Sequence, residues 1–225
     1  MPAEPLILSF DTSAAHCAAA LLRGDTLLGA RIEEMSRGQA ERLMPILEEL
    51  LADHGASWAD LDALGVGIGP GNFTGIRISV SAARGLALAR KIPAIGVSNF
   101  EILREGQTPL RELVSVAAPR DQAYLQLFDQ GAPAAKPVHF DPANPDTGLA
   151  VLGAQRVLGA HAEKIAALLG IAQAQPCEMA QIPERIARIA ARKLATLPEH
   201  ERPAPLYIRA ADAAPPSDAP PKILD

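Results

Sequence analysis

The stretch Gly65-Val66-Gly67-Ile68-Gly69-Pro70-Gly71-Asn72-Phe73-Thr74-Gly75-Ile76-Arg77 decides the fold. Residues 64–68 form a short apolar run and Gly69-Pro70-Gly71 is a turn. Helical spacing follows over Phe73–Arg90. A strand, a glycine turn and a helix N-terminus can together hold an anion. The glycines do not fit G-x-G-x-x-G, and no Gly-Lys-Ser/Thr follows them, so the dinucleotide and Walker fingerprints are absent. Two readings stay open. The turn is either a phosphate cradle built from Gly69, Gly71 and Thr74, or a close-packing device that seats the helix on its sheet.

Upstream, Leu6-Ile7-Leu8-Ser9-Phe10 reads as a buried strand ending at Asp11-Thr12-Ser13. An apolar run at 17–22 and the Gly24-Asp25 pair signal a hairpin. Ala40, Leu43, Met44, Leu47, Leu50 and Leu51 recur at helical spacing and predict an amphipathic helix over Gln39–Asp53. Pro45 lies inside it, so a late start or a bend is expected there. Downstream come a strand at 93–97 and a short helix over Asn99–Arg104. A hairpin followed by alternating helices and strands implies a mixed sheet covered by helices, an α/β lobe.

Around Glu105-Gly106-Gln107-Thr108-Pro109 the pattern restarts. Strands are expected at 113–117 and 124–128, a loop at 131–148, and helices at 159–169 and 182–197. The expected organisation is a first lobe over 1–105, a second over 106–209, and a disordered Pro- and Ala-rich tail over 210–225.

With 225 residues, 48% of them hydrophobic and 21% charged, the chain is not globally disordered. It carries 21 basic and 26 acidic residues, a net charge of −5, and only 4% aromatics. That balance disfavours tight direct nucleic-acid binding and a base-stacking platform. Two cysteines cannot build a disulfide framework, and Cys17 sits in an apolar run as a core thiol would. With no signal-peptide pattern and no long apolar span, a cytoplasmic protein is expected.

Few residues offer chemistry. Asp11, Thr12 and Ser13 at a strand end either hold a metal-bound phosphate or form a turn bonded to its own backbone. The five histidines show no helical pairing and no Gly-x-Ser-x-Gly elbow is present, so a histidine metal centre and a serine hydrolase are unsupported. Arg185, Arg188 and Arg192 share a helix face, either solvated or turned to phosphate. No catalytic residue, metal ligand or cofactor is expected. Gly75, Ser79, Ala83 and Ala87 recur every four residues as a ridge of small side chains, which suits close approach by another helix.

Four stretches resemble the TsaB (YeaZ) family: Ile7-Leu8-Ser9-Phe10-Asp11-Thr12-Ser13, Glu41-Arg42-Leu43-Met44-Pro45, the glycine stretch Val66 through Ile78, and Pro205-Leu206-Tyr207-Ile208-Arg209. The close match covers roughly residues 5–105. The resemblance implies a two-lobed actin-like ATPase and sugar-kinase (RNase H-like) fold. It implies a non-catalytic partner of TsaD, the subunit that moves a threonylcarbamoyl group from an adenylate onto adenosine 37 of tRNA, with the ATPase TsaE joining them. tRNA would be reached only through that complex. The implied TsaD contact lies on the first two helices, at Leu43, Met44, Leu47 and Leu51 and at Phe73, Gly75, Arg77, Ser79, Ala83 and Ala87. Without TsaD the same surface is expected to pair two copies of the chain. Two departures stand out. Gln39-Ala40 replaces the family's His-Ser or His-Thr, and Ala117-Ala118-Pro119-Arg120 replaces Asp-Ala-Arg in the second lobe. The competing reading is a stand-alone phosphotransferase or ATPase using Asp11 and the glycine turn.

Overall fold

A computed structural model describes residues 4–107, 110–145, 153–196 and 201–208. The tail expected at 210–225, residues 146–148 of the expected loop, Leu197 and Arg209 lie outside the described residues.

The first sheet is built from β1 (Leu6–Asp11), β2 (His16–Arg23), β3 (Thr26–Glu34), β4 (Ala63–Gly67) and β5 (Ala94–Val97). Its order is β3-β2-β1-β4-β5. The β1–β2–β3 meander is antiparallel, and β1, β4 and β5 run parallel. The parallel pairs need crossovers, supplied by α1 (Gln39–Asp53) and α2 (Phe73–Arg90). β1 is buried on both faces, as a strand covered by helices on each side must be. Leu6, Leu8 and Phe10 pack with α1 and α2, while Ile7 packs with α5 (Ile182–Thr196) on the opposite face.

α1 begins at Gln39 and continues through Pro45, correcting the expected late start. Pro45 is exposed, as is Glu41, whose carbonyl the proline leaves without a helical donor. On the inner side Leu43, Ile46, Leu47 and Leu50 are wholly buried, each worth about 1.5–3 kcal/mol. That burial outweighs the proline's cost of about 3 kcal/mol.

After α3 (Asn99–Arg104) comes a second mixed sheet. It contains β6 (Glu112–Ala118), β7 (Gln122–Asp129), β8 (Ala132–Pro133), β9 (Val138–Phe140), β10 (Arg156–Gly159) and β11 (Gln173–Gln175). The order is β11-β10-β6-β7-β8, with β9 also on β7. α4 (Ala162–Leu169) covers one face with Ile165 and Ala166, and α3 covers the other with Phe100 and Leu103. The expected α/β class, two mixed sheets covered by helices, is the one found.

Three expectations are corrected here. The 131–148 segment contains β8 and β9 rather than loop alone. Gly159 ends β10, so the helix expected from 159 starts at Ala162. The boundary at 105/106 separates the sheets but not the helices. α5, expected in the second lobe, lies on the first sheet, where Ile186 and Ala190 press against the bare face of Gly65.

Candidate functional site

Parallel pairing of β1 with β4 sets Phe10 opposite Val66, so the two strands release their C-terminal turns side by side. The Asp11-Thr12-Ser13 turn and the Gly69-Pro70-Gly71 turn therefore meet at the N-terminus of α2. Thr12 Oγ1 donates to Gly75 O at 2.6 Å, and Asn72 N donates to Ser13 O at 2.7 Å. Asn72 caps α2, its Oδ1 accepting from Gly75 N at 2.8 Å. Asn99 closes the far side by donating Nδ2–H to Pro70 O at 2.7 Å.

Gly67, Gly71 and Gly75 are needed for proximity. A Cβ on Gly75 would fall 1.8 Å from Thr12 O, one on Gly71 2.4 Å from Ser13 O, and one on Gly67 1.9 Å from Asp11 Oδ1. Gly69 is the turn position with positive φ, +87°. Of the six candidate phosphate-binding residues, Asp11, Thr12, Ser13 and Gly69 are buried, and Gly71 and Thr74 are exposed. Asp11 Oδ2 accepts from Ser13 N at 3.0 Å and Ser13 Oγ at 2.9 Å, and lies 2.7 Å from His16 Nε2. Asp11 Oδ1 is buried without a hydrogen-bond partner. Apart from that oxygen, the polar groups named here pair within and across the two turns, and the glycines hold the turns at backbone contact.

The residues implied as a partner surface divide by face. Leu43, Leu47, Leu51, Gly75, Ser79 and Ala83 are buried in the chain's own core, which corrects the expectation that they face a partner. Met44 and Ala87 are half-buried against the same core. Phe73 and Arg77 are exposed. They begin an outward stripe that continues through Ser81, Gly85 and Leu88, with Phe73 39% and Leu88 78% exposed. Sequence reasoning missed the last three. The outward stripe leads the small-residue ridge by two positions, about 200° around a helix of 3.6 residues per turn.

At the head of this stripe the guanidinium of Arg77 sits 3.7 Å from the Phe73 ring centroid, and its Nε donates to Tyr207 Oη at 2.8 Å. Tyr207 stacks obliquely on Phe73 at 5.0 Å. The 201–208 segment reaches it by pairing Leu206 N with Ile68 O. Tyr207 lay within a stretch that carries the family resemblance, yet nothing local marked it as a neighbour of α2.

Beside the helical face, Arg42 binds Glu33 through Nε at 2.7 Å and Glu49 through Nη1 at 2.6 Å. Its hydrogen bonds hold both carboxyls below their ordinary range. Arg31 extends the network to Glu49 and Asp53. Cys17 is buried, and burial pushes its thiol up to about 11, with Glu33 adding to the effect. An inert core thiol is what such a shift describes. The arginines of α5 are engaged within the chain: Arg185 donates to Ile102 O, Arg188 pairs with Glu184 and donates to Asp25 O, and Arg192 pairs with Glu105. Among the described residues no group of three or more His, Cys, Asp or Glu side chains is placed to hold a metal ion. No helix among them is long and apolar enough to cross a membrane.

A family model described as TsaD, tRNA N6-adenosine threonylcarbamoyltransferase, matches residues 29–138. The tRNA threonylcarbamoyladenosine biosynthesis protein TsaB of Escherichia coli K12 is 39% identical over 100 residues, 44% of this chain. The matched region spans 43% of that relative's length. The uncharacterized protein Rv3421c of Mycobacterium tuberculosis H37Rv is 35% identical over 216 residues, 93% of this chain and 94% of its own. Among solved structures, YeaZ from Pseudomonas aeruginosa superposes with a TM-score of 0.61 at 27% identity, covering 85% of this chain and 92% of that one. On these likenesses the chain belongs to the TsaB (YeaZ) family.

Proposed function

We propose that this chain acts in tRNA threonylcarbamoyladenosine biosynthesis as a non-catalytic accessory subunit. In this reading it binds and activates TsaD, with TsaE completing the assembly, and meets tRNA only through that complex. The observation that carries the reading is the outward stripe of α2, Phe73-Arg77-Ser81-Gly85-Leu88, with two large apolar side chains held out in solvent. Ser81 and Gly85 at its middle allow a second helix to approach closely. A side chain as large and exposed as Leu88 is stabilised when a partner removes it from water.

The accessory role also rests on how the glycine turn is filled. Phosphoryl transfer needs a metal clamp and a positioned base around an open site. Here the one carboxylate of the turn, Asp11, is fully buried and engaged by Ser13 and His16. Its neighbours Gly71 and Gly75 sit against peptide oxygens. The stand-alone phosphotransferase reading would need this packing to open.

The test is reconstitution. The purified chain alone is expected to show no ATPase or threonylcarbamoyl-transfer turnover, and adding it to TsaD and TsaE from the same organism should raise adenosine 37 modification at least tenfold. Metal-dependent ATP turnover that co-purifies with the isolated chain and vanishes in Asp11→Ala would overturn the accessory reading.

A further inference from the structure

The chain passes between its two sheets at residues 98–111, again between β11 and α5, and through the 201–208 segment. A two-lobed molecule bends at such passages, because hinges are short loop or element-terminal segments that absorb a change in φ and ψ. The first passage holds α3, and α3 is committed on both sides.

On one side Ile102, fully buried, packs with Val97 of the first sheet and with Ile186 and Ile189 of α5. On the other, Phe100 and Leu103 pack with Val114, Val116 and Phe128 of the second sheet. The polar residues divide in the same way. Asn99 donates its backbone N–H to Gly69 O at 2.8 Å and its side-chain amide to Pro70 O at 2.7 Å. Glu101 pairs with Lys193 of α5 at 2.7 Å, and Lys193 donates onward to Gly96 O of β5 at 2.8 Å. Arg185 donates to Ile102 O at 3.0 Å, and Glu105 accepts from Arg192 Nη1 at 2.8 Å. Toward the second sheet, Arg104 Nε donates to Glu112 Oε1 at 2.5 Å and Nη1 to Gly131 O at 3.1 Å. Glu112 is fully buried, and its other oxygen accepts from Arg156 Nε of β10 at 2.6 Å. The 201–208 segment adds a second tie. Leu206 N donates to Ile68 O at 2.9 Å beside the first sheet, while Leu206 and Ile208 pack on the cluster of Val116 and Phe128 in the second.

Lobes joined by a small polar interface move against one another by default, and a large apolar interface stops them. Here one short helix sends buried apolar side chains both ways, into interiors too densely packed to deform smoothly. We propose that α3 is a rivet that locks the two lobes into one rigid body, so that the chain undergoes no hinge closure and presents its surfaces in one fixed geometry. Bending would pull Ile102 from α5 or Phe100 and Leu103 from β6. It would also part Arg104 from Glu112, leaving a buried carboxylate short of a partner, which is costly. The lock is read on contacts within this chain and does not rest on the partner-binding reading above.

The experiment is a distance measurement by double electron–electron resonance on the full chain. Spin labels are placed at Glu48→Cys on α1 and Lys164→Cys on α4, both exposed positions, in a Cys177→Ser background with the buried Cys17 retained. Labelled chain is diluted in excess unlabelled chain, so that only pairs within one molecule are read. The labelled chain with its rivet intact is compared with Ile102→Ala, with the milder Arg192→Gln and Lys193→Gln pair, and with the control Leu64→Ala, a cavity in the first core away from α3. Arg104 is kept, because its loss would weaken the second sheet through Glu112. Circular dichroism checks that each variant is folded, and the Gln pair serves if Ile102→Ala is not. The expected result is one narrow distance distribution with the rivet intact and in Leu64→Ala. In the rivet variants it should broaden about twofold or split in two. Three results would overturn the proposal: a broad or two-peaked distribution with the rivet intact, an unchanged distribution in every folded rivet variant, or equal broadening in Leu64→Ala.

Discussion

Thr12 and Gly75 fix the end of β1 to the start of α2 twice over. The Thr12 hydroxyl donates to Gly75 O at 2.6 Å, and the Thr12 carbonyl oxygen stands where a Gly75 side chain would begin, 1.8 Å from an ideal Cβ. The opposing atom is backbone, so it cannot swing aside as the end of a flexible side chain would. Gly75→Ala is therefore expected to cost about 3 kcal/mol, the upper end of ordinary overpacking. Gly85, further along the same helix, has open space at its Cβ. Gly85→Ala should stabilise by about 0.5–1 kcal/mol, the helix-propensity gain alone. Urea unfolding of the two variants checks both. Equal effects would mean that the turn is not held by close approach.

The Arg42 network predicts a pH effect with a definite sign. Glu33 and Glu49 have lowered folded-state carboxyl pKa values because Arg42 donates to both. Their stabilising contribution is present above the unfolded glutamate value of about 4.3 and is lost as pH falls through the lower folded values. In an NMR titration Arg42→Ala should move both carboxyls up toward their ordinary range. Unshifted titrations would show that the hydrogen bonds do not persist in solution.

The two cysteines should behave oppositely. Cys17 is buried with its thiol pushed up to about 11, whereas Cys177 is half-buried. Iodoacetamide at pH 8.5 is expected to label Cys177 and to leave Cys17 unmodified until the chain is unfolded. The raised Cys17 value also contributes stability that is fully present below the unfolded thiol pKa, about 8.5, and is lost as pH climbs toward the folded value. Rapid labelling of native Cys17 would contradict its placement in the core.

Much of the fold was legible in the sequence because the apolar periodicity was strong. α2 and α3 begin and end where they were expected, and α1 follows the spacing of its apolar residues rather than the late start that Pro45 suggested. The second sheet was harder. β11 is three residues, two of them exposed, and β8 is an exposed pair, so neither carries an alternating pattern to read. The candidate site failed in an instructive way. α2 is apolar or small on nearly every side, and a ridge of small residues looks the same whether it meets a partner helix or its own sheet. Only the three-dimensional fold shows Ser79 and Ala83 fully buried and Ser81 and Leu88 in solvent. The glycine turn could likewise be read as cradle or packing device until Thr12 and Ser13, sixty residues away in sequence, were seen pressed against it.

The outward stripe of α2 is the proposed contact for TsaD. The most direct test is the affinity of TsaD for Ser81→Trp, a change at an exposed position that leaves the chain's own core untouched. A loss of at least tenfold by surface plasmon resonance is expected, with the melting temperature unchanged and with any self-association of the free chain weakened in parallel. Wild-type affinity in Ser81→Trp, with the variant folded, would contradict it and place the partner on another face.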